Sequence, residues 1–439
     1  MFKETSKELL DFLSKSPTAF HAVENYRQIL NADGFEELLE SEHWNIVPGG
    51  KYYVTRNNTS ILAFKVGTKL DNYSFNIVTS HTDSPTFKVK ENAEIEVKNK
   101  YTQLNTEGYG GMLCATWLDR PLSIAGRVLV SEGNSIVTKL LNIDRDLLMI
   151  PNVAIHMNRA ANDGFKYNLQ VDMLPLLSAG DDRQKDFKQI IADELGVKKE
   201  DILGHDLYLY NRMAPSIWGA NEEFISAGHL DDLQCGFASL KALLAGYNDE
   251  SIDIMACFDN EEVGSGTKQG ADSTLLRDTL TRINSALGKT EEDYHRALAS
   301  SFMLSADNAH AVHPNHPEHT DATNCTYMNE GVVVKSHAGQ KYTSDGVSMA
   351  VVKALASGAD VPLQYFANRS DKAGGSTLGN IAMAQASMNA VDIGLPQFAM
   401  HSSYETAGIK DTYYAITLMK ALFDSHIQET STHSLEIKR

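Results

Sequence analysis

The sequence is poor in basic residues and cysteine, and it has no long apolar run. Lys and Arg number 39 against 57 Asp and Glu, a formal net charge of −18. A phosphate backbone would be repelled rather than neutralised, so nucleic acid is not an expected partner. The four cysteines, Cys114, Cys235, Cys257 and Cys325, lie far apart with no C-x-x-C pair, which argues against a disulfide framework and for buried thiols in a reducing cytoplasm. No segment reaches the roughly 18 uninterrupted apolar residues of a membrane helix. The amphipathic N-terminus, MFKETSKELLDFLSKSPTAF, lacks the apolar block of a signal peptide. The expectation is a soluble, cytoplasmic protein without a membrane partner. Neither GYGG nor AGGSTLG is followed by Gly-Lys-Ser or Gly-Lys-Thr, so no phosphate loop is present. The HSS after Met400 lacks the G-x-S-x-G turn of a serine hydrolase.

What remains is a chain of 439 residues, 42% hydrophobic and 22% charged, long enough for two or three units with a sizeable core. Two helical patterns open it, followed by the strands KYYVTR, ILAFKV and FNIVTS. From about Val89 to Phe224 short β-like pieces, turn signals and one charged helix near Asp182 to Glu194 replace this texture. Thereafter strands alternate with helices: a helix over Asp232 to Ala245, IDIMACF, a helix over Ala271 to Leu287, FMLSAD, GVVVKS, a helix over Ser344 to Ala356, LQYFAN, a helix after GGSTLGN, a strand around IGLPQFAMHS and a helix over Lys410 to Ser425. The pattern predicts an α/β fold, a mixed sheet flanked by helices, formed by residues 1–90 and 227–439, with a β-rich domain inserted over 91–226.

The polar residues gather at the ends of the apolar segments. FNIVTS runs into His81-Thr82-Asp83, AGHLDDL supplies Asp231 and Asp232 at a helix start, and IDIMACF ends in Asp259-Asn260-Glu261-Glu262. FMLSAD ends in Asp307, and LPQFAM leads to His401. In such sheets the crevice opens beyond the carboxyl ends of the strands, so five segments aim imidazole or carboxylate at one place. Two His and several carboxylates suit Zn²⁺, Mn²⁺ or Co²⁺ and match what two neighbouring ions need, a bridging carboxylate with a His and a further carboxylate on each. With His81 as a ligand, Asp83 can accept a hydrogen bond from its other ring nitrogen. A Glu-Glu pair at a turn is ordinary surface when it stands alone. Here Glu262 is expected as a ligand and Glu261 as the general base acting on a metal-acidified water.

The segments SHTDSP, HLDDL, DNEEVGS, SADNAHAVHP, NRSDKAGGSTLG and VDIGLPQFAMHSSYET, with EGYGGMLCATWLDRPLSIAGRV and IPNVAIHMNR between them, resemble the aspartyl aminopeptidase family of dinuclear metallo-aminopeptidases, in order and over nearly the whole chain. The resemblance implies that His81 and His401 each bind one of two divalent ions, most simply zinc. It implies that Asp231 bridges the ions, that Glu262 and Asp307 complete the coordination, that Glu261 is the base, and that Asp83 supports His81. It further implies removal of N-terminal, preferentially acidic, residues from peptides, and a cytoplasmic dodecamer assembled from dimers. The inserted domain would mediate dimerisation and send His156 into the neighbour's site. The sequence departs from the family pattern at Asp232, where Asn is usual, at Asn260, where some members carry His, and at Gly374.

An acidic substrate side chain needs a fixed cation, and Lys335, ending the strand of GVVVKS, is the expected one, with Tyr342 near enough to assist. His310, His313, His316 and His319 stand three apart, but Pro314 and Pro317 break any helix that would align them. They are read as a loop beside the site, in which His310 or His313 could touch substrate. Two other functions fit less well. A dinuclear deacylase or carboxypeptidase would need a cation for the substrate's terminal carboxylate, and a non-catalytic metal-bound assembly protein would not need Glu261.

Overall fold

Two strands that are buried on both faces set the frame. Ser74–His81 and Ser251–Phe258 are buried along their whole length, as strands covered by helices on both sides must be. They run parallel and in register, with Phe258 opposite His81. Around them the structure, a computed structural model describing residues 1–439, forms a nine-stranded mixed sheet. Its order is Glu36–Glu37, Lys51–Arg56, Ser60–Val66, Ser251–Phe258, Ser74–His81, Phe302–Ala306, Asn389–Gly394, Val332–Lys335 and Leu363–Phe366. The central four, from Ser251–Phe258 to Asn389–Gly394, are parallel, so their C-terminal ends share one edge.

Alternation along these strands feeds two cores. Val78, Met255 and Cys257 face one side, where they pack with Leu9, Tyr26, Leu240, Val352 and Leu418 from helices Phe2–Ser14, Ala19–Ala32, Leu230–Ala245, Gly346–Gly358 and Asp411–Phe423. Ile77, Ile254 and Ala256 face the other, against Leu280, Tyr294 and Leu378 from helices Leu275–Ala286, Glu291–Ala299 and Leu378–Gln385. The fold is the expected α/β arrangement of a mixed sheet between helical layers.

The stretch of altered texture carries a six-stranded antiparallel sheet in the order Ser135–Asn142, Leu122–Glu132, Ile202–Asn211, Thr86–Val97, Tyr101–Tyr109 and Leu176–Ala179. It has a core of its own, including Phe87, Trp117, Ile124, Ile191 and Leu207. Its helix, Phe187–Leu195, starts where the Asp186 carboxylate accepts the Gln189 N–H and stops at Gly196 in the left-handed conformation. A small third sheet pairs Phe224–Ala227 with Glu405–Gly408, and the latter with Pro396–Phe398.

Three local expectations are corrected. The helix anticipated over Ala271 to Leu287 is Leu275–Ala286, and a second helix, Glu291–Ala299, follows it, nucleated by a capping box between Thr290 and Asp293. The single strand read in IGLPQFAMHS is two, because the chain leaves the large sheet after Gly394 and joins the small one at Pro396. A terminal hairpin, His426–Ser431 with Ser434–Lys438, was not anticipated. No helix is long and apolar enough to cross a membrane.

Candidate metal centre

The shared edge of the parallel strands gathers the five expected side chains. His81 is the last residue of its strand, and Asp307 follows Phe302–Ala306 directly. Glu261 and Glu262 form a single turn just after Ser251–Phe258. Asp231 lies in the first turn of Leu230–Ala245, and His401 follows Pro396–Phe398. His81, Asp231 and Asp307 bring ligand atoms within 4.8 Å of one another, and so do Asp231, Glu262 and His401. Asp231 belongs to both sets: one carboxylate oxygen is 3.6 Å from His81 Nε2 and the other 3.6 Å from His401 Nε2. His401 Nε2 is also 3.3 Å from Glu262. Two buried oxygens, Asp231 Oδ1 and Glu262 Oε1, have no hydrogen-bond partner. Buried carboxylate oxygens without a donor are costly, and two imidazoles with three carboxylates are a donor set for zinc. The residues fit the metal.

The surrounding hydrogen bonds fix which atoms face inward. His81 Nδ1 donates to the Asp83 carbonyl at 3.1 Å, closer than the Asp83 carboxylate at 3.5 Å, leaving Nε2 for a metal. The Asp83 carboxylate does a second job, accepting the N–H groups of Glu261 and Glu262 at 3.1 and 3.2 Å and the Tyr109 hydroxyl at 2.7 Å. His401 Nδ1 donates to the Gly111 carbonyl at 2.7 Å, which likewise frees Nε2. His401 has φ +68°, an unfavourable conformation for a non-glycine residue. Its N–H is held by Glu405 at 2.8 Å, while the other oxygen of Glu405 accepts the Asp231 N–H at 3.0 Å.

Glu405, Tyr109 and Gly111 were not identified from the sequence as site residues. The signal for Glu405 was present: an acid four residues after a ligand histidine, heading an apolar strand. For Tyr109 and Gly111 there was none, since they arrive from the other sheet. Asp232, the departure from the family pattern, is buried and accepts the His81 N–H at 3.2 Å.

Electrostatics follow from burial of so many acids. Burial and the neighbouring Asp307, Asp83 and Asp231 push Glu261 up to about 8, with His81 opposing. Burial and Asp231 push Glu262 well above the carboxylate range. Burial would also raise Asp231, but His81, His401 and Lys335 outweigh it and hold that carboxyl below its ordinary value. Burial likewise opposes the His81 cation, yet Asp231 and Asp83 raise its pKa well above the usual. A cation at Nε2 therefore competes with a proton there.

Lys335 is buried, with Nζ donating to the Asn308 carbonyl at 2.8 Å and 3.8 Å from Asp307, a member of the first ligand set. It lies over the Tyr342 ring at 5.7 Å. His156 is not among these side chains: it sits in an exposed segment between Ile150 and Leu174. His310 and His313 line a neighbouring cavity of about 260 Å³ with Gln397 and Ala399. The prolines do prevent a helix over the four histidines, but a turn at Pro317–His319 still places the rings of His313, His316 and His319 in a row.

Residues 12–423 match the family model described as Aminopeptidase I zinc metalloprotease (M18). The chain belongs to the M18 aminopeptidase family. It is thereby a zinc metallopeptidase that acts as an aminopeptidase. Among M18 relatives, the probable M18 family aminopeptidase 2 of Clostridium novyi is 48% identical over 425 residues, covering 95% of this chain and 98% of the relative. The protein of the same description from Stutzerimonas stutzeri is 39% identical over 431 residues, covering 97% and 99%. Among solved structures, that of the Ape4 and Nbr1 complex superposes with a TM-score of 0.92 at 35% identity over 96% of this chain and 86% of the other. The S. cerevisiae mApe1 dodecamer gives 0.84 at 28% identity, over 96% and 97%.

Proposed function

We propose that this aminopeptidase works with two metal ions per chain, one held by His81 and Asp307, the other by His401 and Glu262, with Asp231 shared. The observation that carries this reading is the double membership of Asp231, whose two oxygens address the two imidazoles at equal distance. Bound there, the ions supply Lewis acidity and lower the pKa of a water toward neutrality. Glu261 accepts that water's proton and returns it to the leaving amine. Its position supports this role: the Glu261 carboxylate lies within 4.8 Å of ligand atoms of both His81 and Glu262, and neither His401 nor Asp307 shares that group with it. Asp83 acts as a positioning residue, holding the Glu261-Glu262 turn and the His81 ring together.

The preference is for an acidic N-terminal residue, with Lys335 as the buried cation and Tyr342 beside it. The insertion, taken as residues 91–226, mediates pairing of two copies and brings His156 of the partner subunit to the developing oxyanion, a role worth about 3–4 kcal/mol in other hydrolases. In its favour, the segment around His156 exposes Val153, Ile155, Met157 and Val171 at 54%, 45%, 83% and 70%, an apolar surface that asks for a partner. Such pairs would build a homo-oligomer like the dodecamer of the mApe1 structure, working in the cytoplasm.

Glu261→Gln tests the central assignment. The variant should retain its zinc, by elemental analysis, and lose about 10²–10⁴-fold in kcat on an aspartyl anilide. Hydrolysis within threefold of wild type would reject Glu261 as the base.

A further inference from the structure

Three groups of side chains that bring three ligand atoms within 4.8 Å of one another belong to the centre around Asp231, the third being His81, Glu261 and Glu262, and one lies apart from it: His316, Glu318 and His319. We propose that these three form a separate, solvent-facing transition-metal site, and that filling it closes the adjoining cavity to peptide.

His316 Nδ1 is 3.1 Å from Glu318 Oε1, and His319 Nε2 is 3.9 Å from the same oxygen. Donors bound to zinc at about 2.0–2.2 Å in a tetrahedron stand roughly 3.3–3.6 Å apart, so the two separations bracket the required edge. Two imidazoles and one carboxylate suit Zn²⁺, Co²⁺ or Ni²⁺. All three side chains are more than half exposed, so an ion reaches them from solvent.

The turn is built before any ion arrives. The His316 N–H donates to the His313 carbonyl at 3.0 Å and the His319 N–H to the His316 carbonyl at 3.1 Å. Pro314 and Pro317 restrict the chain, the Thr320 hydroxyl bonds the Pro317 carbonyl at 2.7 Å, and Arg369 donates to the Glu318 carbonyl. The ring of His316 lies between those of His313 and His319, at 5.4 and 5.3 Å. His313 Nδ1 accepts the Asn315 N–H at 3.2 Å, which puts the ring proton on Nε2 and leaves His313 outside the ligand set.

The coupling follows from position. His313 and His319 line the cavity of about 260 Å³ that also contains Gln397 and Ala399. Gln397 donates to Glu405 at 3.4 Å, and Ala399 lies two residues before His401. An ion on His319 therefore places charge and bound water at the rim of this cavity, beside the catalytic edge.

The test adds excess zinc to the zinc-loaded enzyme and reads uptake by calorimetry, independently of hydrolysis. Wild type should take up one further ion per chain and lose most of its activity as it does so. H316A/E318Q, which leaves the cavity lining intact, should take up none, keep wild-type activity without added zinc, and resist inhibition by the excess. Glu318→Gln should weaken uptake at least tenfold with an unchanged circular dichroism spectrum. Equal uptake by wild type and H316A/E318Q overturns the site. Lost uptake with unaltered inhibition overturns its coupling to the cavity.

Discussion

Glu405 touches no expected ligand through a metal, yet it holds the main-chain N–H groups of both Asp231 and His401. Burial and Asp231 push its carboxyl well above the usual range, while those N–H groups oppose the shift. Glu405→Gln would turn an NH₂ toward one of two N–H donors, loosening either the bridging aspartate or the left-handed turn at His401. Supporting residues of this kind are worth about 10–100-fold in metal affinity. The variant should release zinc to a competing chelator at a correspondingly lower concentration, with its fold intact by circular dichroism; unchanged zinc affinity would contradict the positioning role. At this scale the sequence was legible where chemistry and strand ends coincide. His81, Asp231, Glu262, Asp307 and His401 each stand at the end of an apolar run or at a helix start, and all five come together. Glu405, Tyr109 and Gly111 were not legible, because their work is done by long-range hydrogen bonds to main-chain groups or to Asp83 and His401, which leave no local pattern.

At the scale of elements, helix Asp411–Phe423 packs on the large sheet and begins with a buried acid. Asp411 accepts the N–H groups of Asn329 and Gly331 at 2.7 and 3.2 Å, tying a loop to the helix start. Burial nevertheless raises its carboxyl to about 7, with those N–H groups opposing. A raised acid favours its protonated form in the fold. Its contribution to stability is therefore complete below the ordinary value near 4 and is lost as pH rises through about 7. Asp411→Asn cannot titrate, so the gap in melting temperature between wild type and variant should narrow from pH 5 to pH 8. A gap that stays constant or widens would contradict the assignment. Strands such as Ser251–Phe258 were legible because Ile252 to Phe258 run apolar with a single break at Asp253. The step between sheets at Leu395 was not, because its apolar residues continue without interruption while their hydrogen-bond partners change. Thr290 and Asp293 carry a readable capping signal for the second helix, just beyond the one helix expected over Ala271 to Leu287.

Across the whole molecule, the sheets meet at the metal centre, since Tyr109 and Gly111 from the six-stranded sheet hold Asp83, which follows a strand of the large sheet, and His401, which follows a strand of the small one. The insertion is thus tied to the chemistry within a single chain, before any partner is considered. If the exposed segment around His156 pairs two copies, Val171→Asp, at a side chain 70% exposed, should leave the monomer folded. It should shift sedimentation toward smaller species and lower kcat, because His156 no longer reaches a neighbour's site. Unchanged sedimentation would contradict pairing through this surface.

The most direct measurement of the account is anomalous scattering at the zinc edge from crystals of the zinc-loaded enzyme. Two peaks about 3.5–4 Å apart, with Asp231 between them, His81 and Asp307 on one and His401 and Glu262 on the other, are the predicted result. A single ion among these residues, or two ions that do not share Asp231, would contradict it.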